Sequence, residues 1–185
     1  MIPFKLLEFN IANQEDLVSG VLSEHQQILS LSFRLNNAHN FQLPPQLGEG
    51  ERRKELWKLS CFEVFIRPNN SEHYVEFNLS PEGHWNAFEF DGYRSPSGLE
   101  NLKEVDLTNP PMLATTGVPV ADKPWRLDSQ IDLRGLPEKY LIPGNRMIGV
   151  SAVLLDTQGK AHFFALNHPA PKADFHDPKS HTLRL

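Results

Sequence analysis

Short runs in which apolar and polar residues alternate are the dominant feature of this chain of 185 residues. Every second side chain is apolar in residues 28–36, and the same alternation returns at 61–67, 73–80 and 85–90. A period of two places successive side chains on opposite faces of a β-strand. The 15 prolines, scattered between these runs, leave little room for long helices. The pattern therefore predicts an all-β fold, either an antiparallel β-sandwich of the jelly-roll or immunoglobulin-like type or a barrel.

The length of the chain and the absence of a linker or repeat predict a single domain over residues 1–185. An almost continuous apolar run at 147–155 is typical of a buried strand, and it is expected to pair with 161–166 through a turn that contains Gly159. One or two short helices are predicted, near residues 48–56 and 136–141.

The charge balance bears on the kind of partner. Lysine and arginine number 18 against 23 aspartates and glutamates, a formal net charge of −5. This chain has no basic footprint for nucleic acid or for an anionic membrane surface. Residues 1–10 lack the pattern of a signal peptide, no apolar run is long enough for a membrane helix, and there is one cysteine. A cytoplasmic location, with neither nucleic acid nor membrane as a partner, is the resulting expectation.

A candidate binding face follows from the strand parity. If residues 61–67 and 73–80 form a hairpin and 85–90 pairs next to it, three strands share one sheet, and the side chains opposite their apolar set meet on one face. The side chains expected there are Glu63, Tyr74, Glu76 and Asn78, with Trp85 as a neighbour. Carboxylates and amides hydrogen-bond to hydroxyls, and an indole offers an apolar plate to a sugar ring, so the face predicts a polyol site. The alternative is an ordinary solvated sheet face.

The sequence also has candidate residues for two other kinds of chemistry, a small hydrolase or isomerase that uses Glu63 and Glu76, and a metal site. Glu63 and Glu76 lie on neighbouring strands, where a retaining glycosidase holds its two carboxylates. Raised carboxyl pKa values in a deep pocket would favour such an enzyme over simple binding, and the choice stays open at this point. A group of acidic and histidine residues near the end of the chain invites a metal hypothesis, but its spacing matches no ligand motif, which favours ordinary loop residues. The group comprises His168, Asp174, His176, Asp177 and His181.

The chain resembles the DOMON-like proteins of bacteria, which are relatives of the family 9 carbohydrate-binding module. Two strings, which together reach over nearly the whole chain, carry the resemblance. The first comprises Leu56-Trp57, Cys61-Phe62-Glu63-Val64-Phe65-Ile66, Tyr74-Val75-Glu76-Phe77-Asn78-Leu79-Ser80-Pro81, Trp85 and Tyr93-Arg94, and the second Phe164-Ala165-Leu166-Asn167-His168-Pro169, Asp174-Phe175-His176 and Leu183-Arg184-Leu185.

The resemblance implies a β-sandwich of roughly ten strands with a groove on one face. In sugar-binding relatives the groove holds a sugar between aromatic plates, helped by polar side chains. The family's sheet-face positions fall on Glu63, Glu76, Asn78 and Trp85, and its rim positions on Trp57, Arg94 and His168. The function expected from this likeness is non-catalytic binding of a carbohydrate or a similar small polar molecule.

The resemblance also raises two cofactors, although none is expected here. Haem-binding relatives hold haem between a methionine and a histidine, for which Met112 or Met147 and His84 or His168 are the candidates. Secreted sugar-binding relatives carry acidic residues around the first glutamate strand. This chain has Ser60-Cys61 and Arg67-Pro68 in those places, which argues against a structural calcium ion.

Overall fold

The computed structural model describes residues 1–11 and 17–185, and almost all of its regular structure is β-strand. Twelve strands lie in this described part of the chain: β1 (Ile2–Glu8), β2 (Val18–His25), β3 (Ile28–Leu35), β4 (Cys61–Pro68), β5 (Tyr74–Leu79), β6 (Trp85–Phe90), β7 (Lys103–Glu104), β8 (Met112–Thr115), β9 (Trp125–Asp132), β10 (Arg146–Leu155), β11 (Ala161–Ala165) and β12 (Leu183–Arg184).

The strands form one curled antiparallel sheet in the order β7-β6-β5-β4-β10-β11-β1-β2-β3-β9-β8, with β12 paired to β10. Strand β1 joins the two halves, because its residues Ile2 to Leu6 pair with β2 and Leu7 and Glu8 pair with β11. We call β7, β6, β5, β4, β10 and β11 the β4 half, and β1, β2, β3, β9 and β8 the β3 half. The predicted all-β, antiparallel class is confirmed, whereas a sandwich of two separate sheets is not, since the hydrogen bonding is continuous.

Aromatic contacts across the curl join the two halves. Phe62 of β4 stacks on Trp125 of β9, with ring centroids 5.8 Å apart, and lies 4.8 Å from the ring of Phe33 in β3. All three side chains are buried. The apolar set expected to point inward from β4 and β5, which includes Val64 and Phe77, belongs to the same core. The predicted division of these strands into an inner and an outer face is confirmed.

Local pairing follows the alternation closely. Strands β4, β5 and β6 are consecutive antiparallel neighbours, as predicted, and β10 pairs with β11. Gly159 in the β10–β11 turn has a φ of 84°, the left-handed region that glycine occupies at little cost. Its N–H donates to the carbonyl of Asp156 at 2.9 Å and closes the turn.

The helices are shorter than the sequence predicts. The described residues hold six 3-10 helices of three residues each, at Ala38–Asn40, Leu56–Lys58, Leu99–Asn101, Leu133–Gly135, Glu138–Tyr140 and Pro178–Ser180. The predicted segment 136–141 contains one of them. Segment 48–56 is wrong as a helix, because Arg52 forms a β-bridge with Trp85 and the helical turn begins only at Leu56.

No helix in the described part of the chain has the length and apolar character required to cross a membrane.

Candidate functional site

A cavity of about 350 Å³ lies on the outer face of the β4 half, away from the core. Its floor is formed by side chains that alternate with core residues along the strands, and its sides by a short helical turn, the loop after β6 and the segment before β12. The cavity is lined by Trp57, Glu63, Glu76, Phe88, Phe90, Arg94, Pro96, Ser97, Gly98, Leu99, Leu102, Val153, Phe163, Ala173, Phe175 and His176.

Two carboxyl groups lie on this floor. Glu63 of β4 and Glu76 of β5 are 4% and 5% exposed. The strand register pairs Glu63 with Asn78 and Phe65 with Glu76, so the two glutamates are diagonal neighbours, not directly opposite each other. Diagonal positions on one face lie within reach of long side chains. Their carboxyl groups therefore influence each other electrostatically.

Burial dominates the protonation of both groups. Loss of hydration raises the pKa of Glu76 to about 7, against the opposing hydrogen bond from Asn78 and the charge of Arg94. Loss of hydration, together with the negative charge of Glu76, raises the pKa of Glu63 well above its ordinary value. Two acidic groups in a dry site cannot both ionise cheaply. At neutral pH the floor therefore holds at least one protonated carboxyl, which donates as well as accepts hydrogen bonds.

A layer of polar groups positions these carboxyls from within the sheet. The side-chain amide of Asn78 donates to Oε1 of Glu76 at 2.7 Å, and its own oxygen accepts from the thiol of Cys61 at 3.6 Å. The hydroxyl of Ser151 on β10 donates to Oε2 of Glu63 at 3.2 Å. Asn78 is fully buried and does not line the cavity. Its place is behind Glu76, which it orients.

His176 lies beside Glu76 as a neutral ring. Burial and the charge of Arg94 lower the pKa of His176 to about 3. The Tyr74 hydroxyl accepts from the backbone N–H of Arg94 at 3.2 Å, which leaves its own hydrogen for Nδ1 of His176 at 2.7 Å. We therefore assign the imidazole proton to Nε2, which faces Oε2 of Glu76 at 3.7 Å, too far for a hydrogen bond.

The loop after β6 is tied to the segment before β12 by Asp174. The Arg94 guanidinium donates to Oδ1 of Asp174 at 2.9 Å, the Tyr93 hydroxyl donates to Oδ2, and the backbone N–H of His176 donates to Oδ1 at 3.2 Å. Burial alone would raise the pKa of Asp174, but the hydrogen bonds from Tyr93 and Arg94 lower it below its ordinary value. We call these four residues the Asp174 latch.

The Asp174→Ala variant tests the latch. We expect it to lower the free energy of unfolding by about 1–3 kcal/mol, because three hydrogen bonds to one carboxylate are lost. Hydrogen–deuterium exchange is expected to rise in residues 91–102, the loop that the latch holds, and to stay unchanged in β5. Asp106→Ala, at an exposed aspartate, is the control. Unchanged exchange in residues 91–102 would show that the latch does not hold the loop.

Aromatic rings form much of the remaining wall. Trp57, half-buried in its helical turn, packs edge-on against Phe88 of β6, with ring centroids 5.8 Å apart. Phe90 of the same strand stacks on Tyr74, with ring centroids 4.7 Å apart, and the ring centroids of Phe163 in β11 and Phe175 are 6.2 Å apart. Such rings present apolar faces suited to a sugar's C–H groups.

The structure brings four of the predicted site residues to the cavity: Trp57, Glu63, Glu76 and Arg94. Tyr74 and Asn78 lie directly behind it and support His176 and Glu76.

Two predicted site residues lie elsewhere. Trp85 pairs with Leu79 and packs in the core, with the Arg52 guanidinium 4.4 Å above its ring, so the prediction that it shares the face of Glu76 is wrong. Paired residues of an antiparallel sheet point to the same face, and Leu79 points inward. His168 does not line the cavity; its Nε2 contacts the carbonyl of Leu7 at 2.8 Å, and its ring packs near Phe9.

Several lining residues were not predicted from the sequence. Phe88 and Phe90 alternate with Ala87 on β6, and with the correct register this parity would have placed them next to Glu76. Phe163 and Phe175 come from distant segments, and no local pattern marks them.

The histidine and acidic residues near the end of the chain do not assemble into a metal centre. Within residues 1–11 and 17–185, no group of three or more histidine, cysteine, aspartate or glutamate side chains could hold a metal ion. The haem candidates do not fit the cavity either, because none of Met112, Met147, His84 and His168 lines it, and Met112 is 64% exposed on β8 of the other half.

Comparisons with known proteins give a likeness of fold. No family model matches the chain, and no curated protein matches it. A crystal structure of a proposed carbohydrate-binding protein from Bacteroides uniformis superposes with a TM-score of 0.62 over 97% of this chain and 84% of that chain, at 12% sequence identity. At that identity the likeness concerns the fold alone: this all-β architecture is similar to that of a proposed carbohydrate-binding protein.

Proposed function

We propose that this protein binds a carbohydrate, or a similar small polar molecule, in the cavity above Glu63 and Glu76, without changing it chemically. One observation carries the proposal: two buried carboxyl groups lie on the floor of a cavity whose walls are largely aromatic. Ligand sites are concave and mostly apolar, with a few placed polar groups that fix orientation, in pockets of roughly 300–1,000 Å³. The cavity of about 350 Å³ has this composition.

Each class of lining residue has a part in such binding. The carboxyls of Glu63 and Glu76 hydrogen-bond to ligand hydroxyls, as acceptors when ionised and also as donors when protonated. The ring of Trp57 stacks on the apolar face of the sugar. Arg94, already engaged by Asp174, offers its remaining N–H groups at the rim.

The fold comparison supports this reading without deciding the family. The relation to the DOMON-like group and the family 9 module, with its jelly-roll sandwich, remains part of the proposal. In its favour are the sheet-face positions Glu63 and Glu76, which lie together on the floor, and a fold neighbour described as binding carbohydrate.

A thermal-shift and calorimetry screen against monosaccharides and disaccharides tests the proposal. A ligand at about 100 times its dissociation constant is expected to stabilise the protein by about 2.7 kcal/mol. Trp57→Ala is expected to weaken binding about tenfold, since a stacked ring contributes about 0.5–1.5 kcal/mol beyond its buried area. Leu59→Ala, an exposed apolar residue two positions away, is the matched control and should leave the affinity unchanged. A flat response to every sugar would contradict the proposal.

Hydrolysis of a glycoside is the second candidate, favoured by the raised pKa values of Glu63 and Glu76. A proton held near neutral pH suits a general acid, and a retaining mechanism needs the second carboxylate about 5–5.5 Å away. One of the two glutamates would act as the general acid and the other as the nucleophilic carboxylate. Release of product from chromogenic glycosides, lost in Glu76→Gln, would establish this function in place of simple binding.

A further inference from the structure

Among the described residues, no cation is paired directly with the two acid groups on the floor of the cavity. The charged and titratable groups around Glu63 and Glu76 are Cys61, Tyr74, Arg94, Asp174 and His176. Arg94 is the cation among them, and Asp174 binds it at 2.9 Å, with Tyr93 on the other oxygen of Asp174. His176 is neutral. The charge of Arg94 acts on both floor carboxyls, but in the described part of the chain no positively charged side chain forms a direct ion pair with either of them.

Each floor carboxyl also keeps one oxygen without a hydrogen bond. Ser151 donates to Oε2 of Glu63, and no described group donates to Oε1. Asn78 donates to Oε1 of Glu76, while Oε2 has only Nε2 of His176 at 3.7 Å, beyond hydrogen-bond distance. Both side chains are more than nine-tenths buried, and both line the cavity. Neither oxygen has a donor among the described residues, and both belong to carboxyls that line the cavity, so we expect a ligand to supply the donors.

The walls suit a cation as well as a sugar ring. The rings of Trp57, Phe88, Phe90, Phe163 and Phe175 line the cavity beside the two carboxyls. The face of an aromatic ring attracts a positive charge, and aromatic walls with an acidic group are a recurrent way to hold an ammonium ion. A neutral sugar would use the stacking surface and hydrogen-bond to the carboxyls, but it would bring no positive charge to them.

We propose that the ligand of this cavity carries a protonated amine, as an amino sugar does, and that its ammonium group binds between Glu63 and Glu76 within the aromatic walls. This inference rests on the function proposed above and specifies its ligand class. The ammonium donates to the two free carboxyl oxygens, and the ring of the sugar lies against Trp57. An N-acetylated sugar lacks the charge and is therefore disfavoured.

Proton release is the signature of this mode of binding. The free protein holds protons on the floor at neutral pH, since the pKa of Glu76 is raised to about 7 and that of Glu63 is also raised. An ammonium ion favours both carboxylates in the ionised form, so binding expels protons. Affinity is expected to fall as the pH drops below about 7, by up to about tenfold per pH unit for each proton released. A neutral sugar would show no such loss.

Calorimetry with matched sugar sets tests the inference. The probes are glucosamine, galactosamine and mannosamine, each beside its neutral parent hexose and its N-acetyl derivative, at pH 6 and pH 7. At pH 7 one amino sugar is expected to bind at least about tenfold more tightly than its two neutral counterparts. Repeating the titration in buffers of different ionisation enthalpy should show net proton release.

Two variants separate the charge from the shape of the site. Glu76→Gln can still accept the hydrogen bond from Asn78, and it is expected to abolish the preference for the amine, so that the amino sugar binds no more tightly than its parent hexose. Glu63→Gln repeats the test at the second carboxyl, and Glu138→Gln, at an exposed glutamate, is the control that should retain the preference. Circular dichroism confirms that each variant is folded.

The outcomes distinguish the two proposals. Equal or tighter binding of the neutral hexose, or a preference for the amine that survives in both floor variants, would overturn the amine inference and leave carbohydrate binding in place. If no sugar of any set binds at millimolar concentration, the proposed function fails and the inference fails with it. Preference for the amine, proton release and loss of both effects in Glu76→Gln together support the inference.

Discussion

The Glu76→Gln variant is expected to be more stable than the wild-type protein at pH 8 by about 3 kcal/mol and equal to it at pH 4. The cause is the burial of Glu76, whose pKa rises from an ordinary value of 4.5 to about 7 in the folded protein. A carboxyl with a raised pKa binds its proton more tightly when folded than when unfolded. Its contribution to stability is complete below the unfolded pKa and is lost as the pH rises through the folded pKa. Glutamine has no proton to lose, so the variant escapes this loss.

The measurement that checks this prediction is urea denaturation at several pH values. It gives the difference in unfolding free energy between Glu76→Gln and the wild type. His176 and His181 are buried neutral rings whose pKa values are lowered to about 3 and about 4. Their contribution has the opposite sign, because stability falls as the pH drops below the unfolded pKa of histidine. Between pH 4.5 and pH 6.5 the two histidines therefore offset part of the pH dependence of the wild-type unfolding free energy. Both proteins contain them, so their effect largely cancels in the difference between the two unfolding free energies.

Glu138→Gln is the matched control for this prediction, because Glu138 is exposed at a short helical turn outside the cavity. Its unfolding free energy should stay close to that of the wild type at both ends of the pH range. If the difference in unfolding free energy between Glu76→Gln and the wild type does not change with pH, Glu76 is not protonated more readily in the folded state. The raised pKa assigned to Glu76 would then be wrong.

The Phe62→Ala variant is expected to lose about 3–5 kcal/mol of unfolding free energy, measured by urea denaturation. Phe62 is fully buried where the two halves of the curled sheet meet, stacked on Trp125 and packed against Phe33. Removing its ring deletes apolar contacts and leaves a cavity between strands that are distant in the sheet order. The packing of β4 against β3 and β9 is therefore the contact that the substitution weakens.

Phe163→Ala provides a matched comparison on the opposite face of the same half. The side chain of Phe163 is 36% exposed and lines the cavity. We therefore expect Phe163→Ala to lower the unfolding free energy by less than half as much as Phe62→Ala does. Similar losses in the two variants would contradict the account of the core, since they would mean that the contact across the curl contributes no more than a partly exposed ring does.

The confirmed predictions concern features that depend on residues close together in the sequence. The alternation in β4 and β5 identifies Phe62 and Val64 as inward and Glu63 and Glu76 as outward, because side-chain parity is a local property of a strand. The turn around Gly159 similarly predicts the pairing of β10 with β11. Adjacent strands with short connections leave few alternatives for pairing.

The position of Trp85 could not be predicted from the alternation within its own strand. The alternation within β6 is plain from the sequence, but which of its two faces points inward depends on the register across the turn at residues 80–84. The structure pairs Leu79 with Trp85, and a change of register by one residue would reverse every side chain of β6. Phe88 and Phe90 therefore reach the cavity, and Trp85 does not.

The all-β class, the hairpin of β4 and β5 and the side on which Glu63 and Glu76 lie can all be predicted from the sequence, since each depends on residues close together in the chain. The continuity and curl of the sheet could not be predicted in this way, because they depend on the pairing of β1 with both β2 and β11. Packing of the whole chain also brings His176 beside Glu76, a hundred residues away, and Asp174 to Arg94 at the edge of the site. Contacts over such separations arise from packing of the whole chain, and no local pattern of residue types encodes them.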